Sequence, residues 1–144
     1  MAIIDGRTWL EHLSSAECWN LLSACSVGRV GVLVDSAPEV YPVNFVVDDE
    51  SIVFRTDSGS KLRGLHRSPA VCFEVDGSNA HDHTGWSVLV KGRAVELHGG
   101  EELRRAAELP LRCWALGEKD HWIRIRPADV TGRRIWQGRT VDGN

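Results

Sequence analysis

The 144-residue chain lacks any apolar run near the roughly 20 residues that a membrane span needs. It also lacks a surplus of positive charge, because 17 Lys and Arg stand against 20 Asp and Glu, a formal net charge of −3. Nucleic-acid binders carry a basic face, so no nucleic-acid partner is expected. The first ten residues contain Asp5 and have no apolar stretch of export-signal length. We therefore expect a cytoplasmic protein with no membrane partner.

The chain also lacks a Cys-x-x-Cys pair, a metal-binding pattern and a nucleophile motif. Its four cysteines are spread among apolar neighbours, which favours buried, reduced thiols over a redox pair. His81, Asp82 and His83 have no third ligand nearby, so an exposed loop is the favoured interpretation and no metal site is predicted. No serine lies in a Gly-x-Ser-x-Gly elbow. His121, beside Trp122, is interpreted as a surface residue, and no catalytic residue is assigned.

Three helices are predicted. Ser14 and Glu17 have the spacing of a capping box ahead of apolar residues at helical intervals. A short second helix has its N-terminus at Ser60, and Pro110 interrupts a third helical pattern. The three helices are predicted over residues 14–24, 61–67 and 101–116.

Seven extended segments are predicted from β-branched runs and alternating patterns, with a polar loop over residues 76–85. They cover residues 27–34, 40–47, 51–56, 71–75, 86–97, 121–126 and 130–136. Because helices do not alternate with these strands, the pattern favours a mainly β (α+β) antiparallel barrel with peripheral helices, in one domain over residues 1–144. Small barrels fill with their own side chains, so a cofactor would lie outside the barrel or between two subunits, which favours a dimer.

The segment from Phe54 to Leu62 combines a strand end, a glycine-containing turn and a helix start. Free backbone N–H groups, hydroxyls and the charges of Arg55 and Lys61 could bind a phosphate there. The alternative, an ordinary turn with a capping serine, is slightly favoured from the residues alone, because no Walker motif is present.

Several segments, read in order, carry a family resemblance. They are VGRVGV at residues 27–32, VYPVNF at 40–45, FRT at 54–56 with SKL at 60–62, WSVLVKGRA at 86–94 and, more weakly, WIRIRP at 122–127. The chain resembles the pyridoxamine 5′-phosphate oxidase-like flavoproteins, mainly over residues 13–97. The resemblance implies a six- to seven-stranded antiparallel split β-barrel that binds FMN as a homodimer.

The resemblance also implies a cofactor site shared between two subunits. The phosphate would be held by Arg55, Thr56, Ser60 and Lys61. The backbone around Val43 and Asn44 would line the isoalloxazine edge, and the partner subunit would supply Trp86 and Ser87.

The resemblance implies an oxidoreductase acting on a small organic substrate. Tyr41 is the only tyrosine, and the set of basic and tyrosine residues that binds the vitamin B6 phosphate is not identified, so the namesake substrate is not expected. One alternative is a reductase using a deazaflavin coenzyme, whose longer anionic tail requires further basic groups such as Lys91, Arg93, Arg133 or Arg134. The other is a flavin carrier or sensor without turnover.

Overall fold

The structure, a computed structural model, describes residues 3–136. These residues form eight strands and three helices. In chain order they are β1 (Ile3–Asp5), β2 (Leu10–His12), α1 (Ser15–Ser23), β3 (Val27–Val34), β4 (Ala37–Val47), β5 (Ile52–Thr56), α2 (Ser60–Arg67), β6 (Ala70–Asn79), β7 (Thr84–Glu96), α3 (Gly100–Ala106) and β8 (His121–Ile135).

Six of the strands close into an antiparallel barrel in the order β3-β4-β5-β8-β7-β6 and back to β3. The hairpin of β1 and β2 lies outside this ring and pairs with the end of β8. The predicted mainly β, antiparallel barrel with peripheral helices is confirmed. The β1–β2 hairpin was not predicted, because two three-residue strands are too short to show an alternating pattern.

Alternating side chains of the barrel strands fill its interior. Phe45, Phe54 and Phe73 are almost completely buried, and the rings of Phe45 and Phe73 meet edge to face with centroids 4.8 Å apart. Gly28 is required here, because a Cβ on it would lie 2.2 Å from the Phe73 ring. The Phe73 ring therefore packs directly against the main chain of β3 at Gly28.

The β3–β4 hairpin closes through Asp35 and Ser36, which both have positive φ, at 50° and 67°. A two-residue turn of this kind matches the twist of paired strands. The predicted turn over residues 35–38 is therefore too long, and Pro38 lies inside β4. The Phe45 amide donates to Ser26 O, so the backbone N–H groups of odd-numbered residues of β4 point toward β3. The amide nitrogens of Pro38 and Pro42 therefore point away from β3, and their missing N–H groups cost no hydrogen bond between β3 and β4.

Helix α1 confirms the predicted capping box, because Ser14 and Glu17 exchange side-chain and backbone hydrogen bonds. Helix α2 agrees with its predicted range, with Ser60 as its first residue and Gly59 as the N-cap. The third predicted helix, over residues 101–116, is wrong beyond Ala106. Pro110 has no N–H and disfavours helical backbone at Leu109, so the chain leaves the helix.

The predicted loop over residues 76–85 is also wrong, because β6 continues to Asn79 and β7 begins at Thr84. Gly77 marks a close approach within the sheet, since a Cβ on it would lie 2.7 Å from Trp86 Nε1. The segments predicted at 121–126 and 130–136 form one strand, β8. The residues around Pro127 separated the two predicted segments. A register shift opposite Lys91 and Gly92 of β7 accommodates these residues within the single strand β8.

No helix within residues 3–136 is long and apolar enough to cross a membrane. The cytoplasmic location stays a prediction.

Candidate functional site

One corner of the barrel brings together the predicted phosphate ligands. Strand β5 ends at Thr56 and helix α2 begins at Ser60, so both contribute to the corner. The N-cap, Gly59, offers no side chain to the first turn of α2, and within residues 3–136 no side chain caps the backbone N–H groups of that turn. Lys61 Nζ lies 5.4 Å from the centroid of the Tyr41 ring, which joins β4 to the same corner. The corner thus combines free amide donors with a cationic side chain.

Positive charge is in excess at this corner. Burial lowers the pKa of Lys61, and the Lys119 ammonium lowers it further, against the opposing effect of Asp57. Asp57 lies 4.0 Å from Lys119. Among the described residues, no carboxylate lies within ion-pair distance of Lys61. Arg55, Lys61 and Lys119 therefore stand against two nearby carboxylates, Asp57 and Glu39, and Glu39 accepts from the Tyr41 hydroxyl. The remaining positive charge favours an anion in the corner.

Arg55 and Thr56 have different environments. Arg55 is half-buried, its Nε donates to Lys119 O at 2.8 Å, and its guanidinium stacks over Trp122 at 4.8 Å. Its terminal nitrogens have no protein partner among the described residues, so they remain able to meet a ligand. Thr56 is fully buried, and its hydroxyl donates to Asp57 O at 3.3 Å. Its side chain supports the turn beneath the corner.

The two predicted residues of β4 also differ. Val43 is buried, and the alternation set by the Phe45 amide directs its N–H toward β3, opposite Gly28. The Asn44 N–H is directed the other way, to the side of β4 that β5 pairs only from Phe45 onward. The Asn44 carboxamide donates to Ser26 O at 3.3 Å and accepts from the Trp114 amide at 2.8 Å. Asn44 therefore offers its backbone to a ligand while its side chain anchors the chain after α3.

Trp86 and Ser87 lie on β7, beside the end of β8. Trp86 pairs with Arg134 and Ser87 pairs with Arg133. Trp86 lines a cleft of about 350 Å³ together with Arg134 and Trp136. The nearly buried Glu11 carboxylate accepts from Trp136 Nε1 at 2.7 Å and so fixes that indole. The result is an aromatic, arginine-edged cleft.

The corner and the cleft do not meet within one chain. His121, which pairs with Thr56, and Arg133, which pairs with Ser87, are twelve residues apart on β8. At strand spacing this is roughly 40 Å along the strand. Of the predicted residues, the structure thus brings Arg55, Ser60 and Lys61 together, and it leaves Trp86 and Ser87 at the opposite end.

Another cavity, of about 550 Å³, lies between the β4–β5 turn and α3. Arg124 crosses it and donates to Asp48 at 2.9 Å, and Glu102 lies 3.2 Å from Arg124 Nε. Its charges are largely paired within the chain, so it is a weaker candidate than the corner. No group of three or more His, Cys, Asp or Glu in the described part of the chain is arranged to hold a metal ion.

A sequence model of the family described as pyridoxamine 5′-phosphate oxidase matches residues 14–134, which include the corner and the part of the cleft formed by Trp86 and Arg134. The chain belongs to this family. An uncharacterized Mycobacterium tuberculosis protein, Rv0080, is 34% identical over 129 residues, covering 86% of this chain and 84% of its own length.

Two solved structures are similar to the chain. The FAD binding protein from Mycobacterium smegmatis has 34% identity and a TM-score of 0.71, over 87% of this chain and 98% of its own. An FAD-binding protein from Mesorhizobium loti has 26% identity and a TM-score of 0.73, over 87% and 97%. Both are named as FAD-binding proteins, and each match covers 87% of this member of the pyridoxamine 5′-phosphate oxidase family.

Sequence reasoning missed several corner residues of this family member. Lys119 lies just before β8 and His121 is the first residue of that strand, more than fifty residues after Arg55. Both reach the corner only because β5 pairs with β8. Ser58 hydrogen-bonds His121 there at 3.1 Å. The Lys-x-His pattern before a strand is a weak signal, and it becomes informative only once the strand order is known.

Proposed function

We propose that this chain binds a flavin nucleotide, FMN, with the 5′-phosphate in the corner formed by β5 and α2. The observation that carries the proposal is the surplus of cationic groups there, with Lys61 half-buried and without a carboxylate partner among the described residues. A phosphate dianion would offset this surplus and accept hydrogen bonds from the free amides of α2. Ser60 and the terminal nitrogens of Arg55 complete the proposed ligand set.

The isoalloxazine ring is proposed to lie along the open side of β4, where the Asn44 N–H is directed away from β3. A backbone donor at the ring edge would orient the ring and stabilise negative charge on it. Val43 contributes by holding β4 against Gly28 of β3. When bound, a flavin supplies hydride and electron transfer, and the chain supplies orientation and exclusion of water.

A homodimer is proposed because the two parts of the site lie at opposite ends of β8. Trp86 and Ser87 could contact the same flavin as Lys61 only from a second copy of the chain. The outer surface of the β3–β4 hairpin supports such pairing. Val40 is 66% exposed, and Val27 and Leu33 on the neighbouring strand are also exposed. Exposed apolar side chains that cluster on one sheet face are typical of subunit interfaces.

The names of the two similar structures favour FAD as a second candidate cofactor. FMN and FAD share the ring and the first phosphate, so the corner would serve both. Only FAD would place an adenosine beyond the corner. The deazaflavin coenzyme is a third candidate, and its longer anionic tail would call on Arg133 or Arg134, at the cleft end of β8.

We further propose that the bound flavin takes part in oxidation and reduction of a small organic substrate. The alternative, a carrier or sensor that binds flavin without turnover, requires the same corner. The two differ only in whether electrons pass to another molecule.

The first experiment is an absorbance scan of the purified protein, followed by heat release and chromatography of any bound flavin. A yellow protein that releases FMN supports the proposal, whereas FAD or a deazaflavin identifies the rival cofactor. A colourless protein that fails to bind any of the three on titration would overturn the proposal. Stopped-flow reduction by nicotinamide nucleotides, then reoxidation by candidate acceptors, separates an oxidoreductase from a carrier, because a carrier exchanges electrons with none of them.

A further inference from the structure

A buried carboxylate lies behind the corner and contacts three imidazoles. The Glu96 side chain is 8% exposed. Its Oε1 lies 2.9 Å from His66 Nε2, and its Oε2 lies 3.1 Å from His121 Nδ1 and 3.5 Å from His98 Nδ1. A nearly buried charge needs such partners to offset its lost hydration. Strand pairing brings Glu96 close to His121, because β7, which ends at Glu96, and β5 both pair with the start of β8.

His121 connects this carboxylate to the corner. Its Nδ1 faces Glu96, and its Nε2 lies 3.1 Å from Ser58 Oγ. Ser58 is exposed and stands two residues before Ser60. The same order of groups activates serine nucleophiles in hydrolases. Here the hydroxyl stands beside the cationic corner, so its expected role is contact with an anion.

The charge on Glu96 fixes the orientation of the His121 protons. Burial opposes ionisation of Glu96, but hydrogen bonds from His121 and His66 keep its pKa below the ordinary value. The ionised carboxylate therefore accepts the Nδ1–H of His121. In neutral His121 the Nε2 atom must then accept a hydrogen bond from the Ser58 hydroxyl, whereas in the imidazolium Nε2–H donates to Ser58 Oγ.

We propose that Ser58 and His121 are further phosphate-binding residues, positioned by Glu96, and that they bind phosphate more strongly when His121 is protonated. This inference rests on the proposed function. Protonated His121 adds a positive charge and frees the Ser58 hydroxyl to donate to a phosphate oxygen. Neutral His121 instead accepts a hydrogen bond from the Ser58 hydroxyl. Only the lone pairs of Ser58 Oγ then face the anion, and they repel it.

The other charged and titratable groups near His121 come from five segments of the chain. They are Arg55 on β5, Asp57 in the turn, His66 and Lys61 on α2, His98 after β7 and Lys119 before β8. His66 and His98 contact Glu96, and His121 is the imidazole that hydrogen-bonds Ser58 in the described residues, so protonation of His66 or His98 competes for the carboxylate without acting on the corner hydroxyl. His121 alone among these imidazoles links the two.

The test measures FMN affinity by flavin fluorescence for the wild-type protein and for His121→Gln, at about pH 8 and about pH 6, because histidine side chains in general change charge within this range. Glutamine stays neutral at both pH values and can still hydrogen-bond Glu96 and Ser58. We expect the variant to bind FMN about tenfold more weakly than wild type at the lower pH, as a charge-assisted contact predicts, and nearly equally at the higher pH. Protonation of the FMN phosphate cancels in the ratio of the two proteins.

Ser58→Ala, at an exposed turn, is a second variant and should show the same pattern, with loss of affinity concentrated at the lower pH. His98→Gln is the matched control, because His98 contacts the same Glu96 oxygen, and it should leave FMN affinity unchanged. Riboflavin, which lacks the phosphate, should bind all four proteins alike. Flavin binding with an equal wild-type to variant ratio at both pH values overturns this inference alone, whereas absence of flavin binding at either pH overturns the proposed function with it.

Discussion

The two ends of β8 differ in chemistry although one strand carries both. At its start, Lys61, Lys119 and Arg55 form a corner rich in positive charge and in amide donors. At its end, Trp86 and Trp136 form an aromatic cleft with Arg134 stacked at 5.5 Å over the Trp136 ring. The corner suits a phosphate and the cleft suits a flat ring system. Each end by itself therefore provides only half of what a flavin nucleotide requires.

This difference explains why a second copy of the chain is central to the proposed function. In a symmetric dimer the start of one β8 can approach the end of the other, and two equivalent composite sites result. The roles of the corner and the cleft can be tested by substituting residues at the corner, at the cleft, and then in a mixture of chains that carry one change each.

The largest effect is expected from removing charge at the corner. The double change Arg55→Ala with Lys61→Ala should weaken FMN binding by about 3 kcal/mol or more, because two charge-assisted contacts of about 1.5–3 kcal/mol each are lost. Fluorescence titration measures the loss, and light scattering should show an unchanged dimer. Arg63→Ala is the control, since Arg63 is an exposed residue of the same helix. Unchanged FMN affinity in the double variant would exclude this corner as the phosphate site.

An intermediate effect is expected from mixing two damaged chains. Trp86→Ala damages the cleft, and the double variant above damages the corner, so each should bind FMN poorly by itself. After co-refolding in equal amounts, half of the dimers are mixed and each has one intact site, so about one quarter of all sites should recover. Titration of the mixture gives the stoichiometry. No recovery, with mixed dimers present, would contradict a site shared between subunits.

The smallest effect is expected from moving the Trp86 indole without removing it. In Gly77→Ala the new Cβ would lie 2.7 Å from Trp86 Nε1, so the indole must shift. We expect FMN affinity to fall about fivefold, or ~1 kcal/mol. Gly6→Ala is the control, because a Cβ there meets nothing within 4 Å and Gly6 lies outside both the corner and the cleft. Equal affinity of the two variants would argue that Trp86 does not contact the flavin.

Local signals accounted for much of the fold. The capping box at Ser14 and the β-branched runs of β3 and β4 depend on neighbouring residues, and both were predicted. The strand across residues 76–79 was missed because Gly77 is a poor strand former by itself. Its place in β6 depends on the Trp86 ring on β7, nine residues away.

The candidate site was predicted only in part, for a similar reason. Arg55, Ser60 and Lys61 are close in sequence, so their convergence required no tertiary information. Glu96 and His121 join the corner through two strand pairings that no short motif specifies. The burial of the Thr56 side chain is likewise set by the barrel interior and has no counterpart in the local pattern.

The continuity of β8 has a consequence for how this chain can change. An insertion of one residue within β8 would turn every later side chain of the strand to the opposite face of the barrel sheet. It would also displace Arg133 and Arg134 from their partners on β7. The register shift opposite Lys91 and Gly92 already absorbs one irregularity. Length variation should therefore be tolerated between α3 and β8, where residues 107–120 form no regular element. Strand β8 sets the spacing between the corner and the cleft, and its length is the quantity that variants must preserve.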